Sequence, residues 1–203
     1  MNAHLLEQTA AATGTDEAIL DQIMIPGTHL ALWRRARPEP LGWINEIAWD
    51  TIDDLDFPVA MAALETDIAE GLTEAGYPQS DEIHSLQREI ASLARRFATM
   101  MACDWIRLRL EVVETNACRK FHADVVTARL LTTLSGPATQ WIEVAAPDQI
   151  NQLAAGDVAI FKGRLWAEDP MILHRSPPIA GTGDKRLLLA IDPYDPAKEA
   201  VHV

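Results

Sequence analysis

Basic charge is scarce in this 203-residue chain: 17 Lys and Arg stand against 30 Asp and Glu, a formal net charge of −13. A protein this acidic has no broad basic face. That excludes a non-specific grip on nucleic acid or on an anionic membrane surface, though a small anion can still bind in a locally basic pocket. Cysteine is scarcer still. Cys103 and Cys118 alone imply no disulfide framework, and a reducing cytoplasm is the expected setting. No apolar run approaches the roughly 18 residues of a membrane span. The opening stretch MNAHLLEQTAAATGTDEAILDQ lacks the basic-then-apolar order of a signal peptide. What is present is ordinary for a globular protein: 48% of residues are hydrophobic, enough in a chain this long to bury a core.

The apolar residues keep two rhythms. In the first half the spacing is helical. Leu41, Ile44, Ala48, Ile52 and Leu55 predict a helix over 38–55, and VAMAALETDIAEGLTEAG predicts another over 59–76. The strongest helix is expected over 80–100, where Ile83, Leu86, Ile90, Leu93 and Phe97 recur on one face. Only THLALWRR, 28–35, interrupts as a strand. From residue 104 the period falls to two: Ile106, Leu108, Leu110 and Val112 alternate with Arg107, Arg109 and Glu111. Short apolar stretches follow, FHADVVTARLLTTL, ATQWIEVA, GDVAIFKG, PMILHRS and KRLLLAID, separated by turn residues. Many short strands predict an antiparallel sandwich or barrel. The expected organisation is α+β, with a mainly helical region 1–103 packed on a β core 104–203 as one integrated domain.

On a strand, residues two apart point the same way, so His122 and Asp124 are expected to share a face. A surface hydrogen bond at a strand end explains that pair equally simply. His174, at the end of a later apolar strand, changes the balance. Two imidazoles and one carboxylate form the facial triad that holds a divalent metal on one side and leaves its other positions open. A close pair and a remote third ligand suit strands adjacent in a barrel but distant in sequence. His174 read alone is also consistent with a solvated strand-end histidine. Arg186 follows a turn after His174. Turned inward, its planar fork would hold a carboxylate in two hydrogen bonds; turned outward, it is a surface arginine. Arg175, directly after His174, competes for the same anion-binding role.

The order His122-x-Asp124, then Gly156-Asp157-Val158-Ala159-Ile160-Phe161, then His174 and Arg186, resembles the iron(II)/2-oxoglutarate-dependent oxygenases over about residues 104–192. The resemblance implies a double-stranded β-helix, or jelly roll, in the C-terminal half, buttressed by the N-terminal helices. It implies iron on His122, Asp124 and His174, and the far carboxylate of 2-oxoglutarate on Arg186. The implied reaction is attack on a C–H bond coupled to decarboxylation of the cosubstrate. ACRKFHADVVTARLLTTLSGPATQW, GDVAIFKG and HRSPP resemble more closely the uncharacterised bacterial family "domain of unknown function 1826". That likeness implies a link to zinc-responsive GTPases and metal limitation.

Two other function classes stand beside the oxygenase: a zinc-binding, metal-homeostasis protein using the same barrel site without redox chemistry, and a barrel acting only through protein contacts. Cys118 would favour zinc, but four residues of strand separate it from His122 by more than about 10 Å; it reads as a small buried hydrophobe. Thr127, Arg129 and Thr139 are candidate pocket residues, although strict alternation turns Thr127 and Arg129 away from Asp124. Trp105, Trp141 and Trp166 read as packing residues, the last also as a pocket lid. His84 is expected in solvent, His29 in a loop with a possible role behind a ligand, and His4 and His202 in the termini.

Overall fold

Alternation in residues 105–113 places one row of side chains on each face of a sheet. The computed structural model, which describes residues 10–199, shows what each row packs against. Its strands are β1 (Ala11–Gly14), β2 (Leu30–Trp33), β3 (Leu55–Ala60), β4 (Trp105–Val113), β5 (Ala128–Ser135), β6 (Gln140–Glu143), β7 (Asn151–Gln152), β8 (Val158–Lys162), β9 (Ile172–Arg175) and β10 (Arg186–Pro193). The helices are α1 (Leu64–Glu74), α2 (Ile83–Met101) and the short α3 (Pro196–Glu199). Seven strands form one sheet in the order β1-β2-β8-β5-β10-β4-β3, and three form a second in the order β7-β6-β9. Every pairing is antiparallel except β1 with β2. The fold is therefore mixed α+β, dominated by the larger sheet, and no helix among the described residues is long and apolar enough to cross a membrane.

The larger sheet separates two cores. Its outer row, with Ile106, Leu108 and Leu110 from β4, Leu130 from β5, Ile160 from β8 and Leu187, Leu189 and Ile191 from β10, is buried with Ile83, Leu86, Ile90, Leu93 and Phe97 of α2. The spacing of those five residues makes the stripe that α2 presents to the sheet. The inner row, with Leu30, Leu32, Leu131, Ala159, Phe161 and Ala190, packs with Trp141 and Ile172 of the smaller sheet. Strand period is thus converted into two layers of burial.

The first half departs from the expected helices. Residues 38–55 form two short 3₁₀ segments, Glu39–Glu46 and Trp49–Thr51, instead of one helix, and Leu55 opens β3. Pro40 disfavours helical backbone at Glu39 before it and Gly42 weakens a regular helix further, so an apolar stripe was not enough. Residues 59 and 60 finish β3, which leaves α1 to begin at Leu64 instead of at 59. Pro58 is tolerated in β3 because that strand is an edge, hydrogen-bonded to β4 alone. The strand expected within 28–35 is β2, and β1 and β3 join the same sheet without having been anticipated.

Phe97 is completely buried at the centre of the outer core. Phe97→Ala is expected to lower the unfolding free energy by about 3–5 kcal/mol, measured by urea denaturation. A loss below about 1 kcal/mol would show that this face of α2 is not packed as described.

Candidate metal centre and anion pocket

A pair of main-chain hydrogen bonds builds the centre. His122 N–H donates to the His174 carbonyl at 3.0 Å, and His174 N–H returns the bond to the His122 carbonyl at 2.9 Å. This isolated antiparallel bridge joins His122 to β9, and the two imidazole centroids lie 4.9 Å apart. Phe161 packs beside the His174 ring at 4.6 Å.

Asp124 reaches the pair from a loop, which corrects the expectation of a continuous strand. After His122 the chain leaves regular structure and β5 begins only at Ala128. The loop is pinned to the end of β8. Arg164 N–H donates to the Asp124 carbonyl (2.8 Å), Leu165 N–H to that of Val126 (3.1 Å) and Gly163 N–H to that of Thr127 (2.9 Å). A Cβ on Gly163 would overlap the Val126 carbonyl oxygen, so only glycine lets the loop come this close.

One imidazole nitrogen of each histidine and one carboxylate oxygen of Asp124 all lie within 4.8 Å of one another. Asp124 Oδ2 is 3.0 Å from His174 Nε2, and Oδ1 is 3.6 Å from His122 Nε2. Yet Oδ2 is buried without a properly aligned hydrogen-bond partner, an arrangement that fits donors converging on a shared cation better than donors paired with each other. His122 Nδ1 lies 2.8 Å from the Lys120 carbonyl. That contact puts the proton of the neutral ring on Nδ1 and leaves the Nε2 lone pair free for a metal.

The charges fit ligation. Burial pushes the His174 imidazolium down, against Asp124, so this ring stays neutral as a ligand must. Asp124 raises His122 against a smaller opposing effect of burial. Burial alone would raise Asp124, but His122, His174 and the Arg129 charge together hold it far below the usual carboxylate range. Arg129 is the brace. Its Nη1 lies 2.6 Å from Asp124 Oδ1, and its other nitrogens grip both oxygens of Asp192 at 2.6 and 2.7 Å. Arg109 adds a further bond to Asp192 Oδ2 at 3.2 Å. Asp124 is left with Oδ2 to offer.

A cavity of about 430 Å³ opens beside the histidines. Both arginines expected to compete for an anion line it. Arg175 is occupied: Nε donates to Gln140 Oε1 at 2.9 Å and the guanidinium lies over the Phe121 ring at 4.3 Å. Arg186 is fully buried, and its Nη2 donates to Thr139 Oγ1 at 3.1 Å and more weakly to Thr133 Oγ1 at 3.5 Å. Its Nε and Nη1 have no partner. Burial brings its pKa down to about 10, a mark of a cation awaiting a counter-ion.

Of the other residues singled out from sequence, Arg129 and Thr139 line the cavity, whereas Thr127 and Trp166 do not. Alternation failed for Arg129 because Asp124 is not on the strand that carries it. Cys118 is exposed at the cavity rim with φ +56°, not a buried hydrophobe, and its thiol is outside the donor cluster. Trp141 is buried in the inner core, but Trp105 is exposed. His84 is exposed, and His29 accepts a hydrogen bond from Met171 N–H at 3.2 Å. His4 and His202 lie outside the described residues. Sequence reasoning missed Arg109, Glu111 and Asp192. Arg109 and Glu111 were visible as part of the polar row of β4, but alternation gave that row no function.

A family model described as "Protein of unknown function (DUF1826)" matches residues 14–192. No curated protein sequence matches the chain. Among solved structures, it is similar to dioxygenase for auxin oxidation 1 from Arabidopsis thaliana in a binary complex with 2-oxoglutarate. The identity is 11% over 92% of each chain, with a TM-score of 0.51. The rice dioxygenase for auxin oxidation is 10% identical over 93% of this chain and 83% of that one, with a TM-score of 0.49. A Pseudomonas putida prolyl-4-hydroxylase is 9% identical over 88% of this chain and 98% of that one, also at 0.49. The Arabidopsis protein shares the fold, and at this identity the likeness speaks for the fold alone.

Gly163→Ala is expected to displace the Asp124 loop and weaken binding of cobalt(II), used as a spectroscopic probe, by about tenfold or more. The thermal midpoint is expected to change little. Because Asp124 raises the His122 pKa above the ordinary imidazole value, metal binding competes with a proton for this ring as the pH falls. Cobalt(II) affinity should therefore fall as pH drops through the neutral range, and affinity independent of pH would contradict ligation by His122.

Proposed function

The chain belongs to the DUF1826 family, and we propose that it is an iron(II)/2-oxoglutarate-dependent oxygenase acting on a small molecule or a peptide side chain. The observation that carries this reading is the convergence of His122, Asp124 and His174 beside a cavity walled by a buried, incompletely satisfied guanidinium. The pairing of a larger sheet with a smaller one across an inner core supports the further reading of the β structure as a double-stranded β-helix.

Iron(II), when bound with 2-oxoglutarate, supplies the oxidation of a C–H bond by molecular oxygen, coupled to loss of carbon dioxide from the cosubstrate. The protein's part is binding, orientation and exclusion of water. His122 Nε2, His174 and Asp124 Oδ2 would hold the metal. Arg129 keeps Asp124 Oδ1 occupied, so the carboxylate presents one oxygen to the metal. Arg186 would meet the far carboxylate of 2-oxoglutarate with its unpartnered Nη1–H, while Thr139 fixes the neighbouring Nη2. Leu131, Leu188 and Ala190 supply apolar wall between these polar ends and strengthen the electrostatics by keeping solvent out. A closed structural zinc site would use a fourth side chain. Among the described residues no fourth His, Cys, Asp or Glu joins the three.

Iron(II) and 2-oxoglutarate mixed with the protein under anaerobic conditions should give the weak visible charge-transfer band of a bidentate keto acid, and His174→Ala should abolish both the band and metal binding. A band retained by that variant would remove His174 from the site. Arg186→Met is expected to retain the metal but lose about 10²-fold in 2-oxoglutarate affinity. Because the free protein buries a guanidinium that lacks a full set of partners, the same variant should be more resistant to unfolding without cosubstrate, by about 1 kcal/mol or more. 2-Oxoglutarate should no longer raise its thermal midpoint. Wild-type-like stabilisation of Arg186→Met by 2-oxoglutarate would rule out the anchoring role.

A further inference from the structure

Two charged side chains on the cavity wall have no task in the metal and 2-oxoglutarate sites. Arg109 and Glu111 stand two residues apart on the inner face of β4, opposite Ala190 and Leu188 of β10. Apart from Arg186 and the metal-binding trio, the other charges of the cavity are occupied. Asp54 accepts from Val112 N–H at 2.7 Å, Glu114 pairs with Lys185 Nζ at 3.0 Å, Arg129 is held by Asp124 and Asp192, and Arg175 by Gln140 and Phe121. The Glu111 carboxylate, half-buried, has no hydrogen bond or salt bridge to any described residue and feels Arg109, Arg129 and Arg186 only as charges at longer range. Arg109 spends one nitrogen on Asp192, at 3.2 Å, while its Nε is buried without a partner.

Opposite charges that attract each other without forming a hydrogen bond or close ion pair restrict what can bind between them. An anion facing Arg109 is repelled by Glu111, and a cation facing Glu111 is repelled by Arg109. A neutral ligand leaves a half-buried carboxylate and a buried N–H unsatisfied, each at a cost in free energy. A ligand carrying an ammonium and a carboxylate a few ångströms apart satisfies both. Ala190 and Leu188, directly across the ladder, and Leu131 beyond them offer apolar surface for whatever hangs from that head group.

We propose that Arg109 and Glu111 form the substrate-recognition site and that the substrate is a free α-amino acid, its carboxylate on Arg109 and its ammonium group on Glu111. The chemistry done on that substrate rests on the oxygenase reading; the binding site itself does not.

Calorimetric titration tests this with the protein loaded with manganese(II) and 2-oxoglutarate under argon, and in parallel with the metal-free protein. The probes are the free amino acids found in proteins, each with its N-acetyl and its C-terminal amide form. At least one free amino acid is expected to bind with a dissociation constant below about 1 mM, and each blocked form about tenfold or more weaker. Glu111→Gln is expected to weaken the free amino acid while leaving its N-acetyl form unchanged or tighter, with Glu111→Asp restoring the preference. A structural role for Glu111 would weaken both forms together. No binding by any free amino acid, equal binding of free and blocked forms, or equal weakening by Glu111→Gln would each overturn the inference. Amino-acid binding with the predicted discrimination, but without 2-oxoglutarate binding, upholds this site and ends the oxygenase reading. 2-Oxoglutarate binding without any amino acid does the reverse.

Discussion

The reciprocal main-chain hydrogen bonds between His122 and His174 are the constraint on which the rest depends. They fix two imidazoles through backbone geometry, before any side-chain preference enters, and they bring together positions remote in sequence. Three further main-chain bonds dock the loop carrying Asp124 onto the end of β8. Bonds of this kind are short, directional and independent of side-chain identity, so the donor cluster has the stiffness of the sheets although one donor sits on a loop. Exact placement of ligands is what metal sites require and what loops seldom provide on their own.

Electrostatics runs opposite ways on two scales. The chain as a whole carries a formal charge of −13, yet Arg109, Arg129, Arg175 and Arg186 all line one cavity. Their charges are graded by partner. Arg129, held by two carboxylates, is a fixed brace. Arg175 is bound to an amide and an aromatic face, while Arg109 and Arg186 keep unfilled donors. Burial strengthens each of these differences because the local dielectric is low. The surrounding acidity therefore coexists with a pocket suited to anions.

The clustering of the candidate centre was legible in sequence because it involves residue types with few other uses at such positions. His122, Asp124 and His174 come together, and Arg186 is buried beside them. The route was less faithful. Period-two reasoning placed Asp124 on a strand with His122, whereas a bridge followed by a loop does the work. The same reasoning turned Arg129 away from a carboxylate it grips. Composition also concealed the N-terminal strands. Helical spacing in 38–55 carried no information about the backbone limits set by Pro40 and Gly42, and β3 is an edge strand containing Pro58. Arg109 and Glu111 were passed over because alternation says which residues share a face, not whether the face opposite is water or a cavity.

β10 illustrates how little freedom such a sheet leaves. Its odd-numbered residues Leu187, Leu189 and Ile191 enter the helix-covered core, and its even-numbered Arg186, Leu188, Ala190 and Asp192 face the cavity side. Inserting or deleting one amino acid in this strand would exchange the two sets, driving a guanidinium and a carboxylate among the leucines beneath α2. A change of length is tolerated far better in the connecting segments. Evolution can redesign the entrance of the pocket far more readily than its floor.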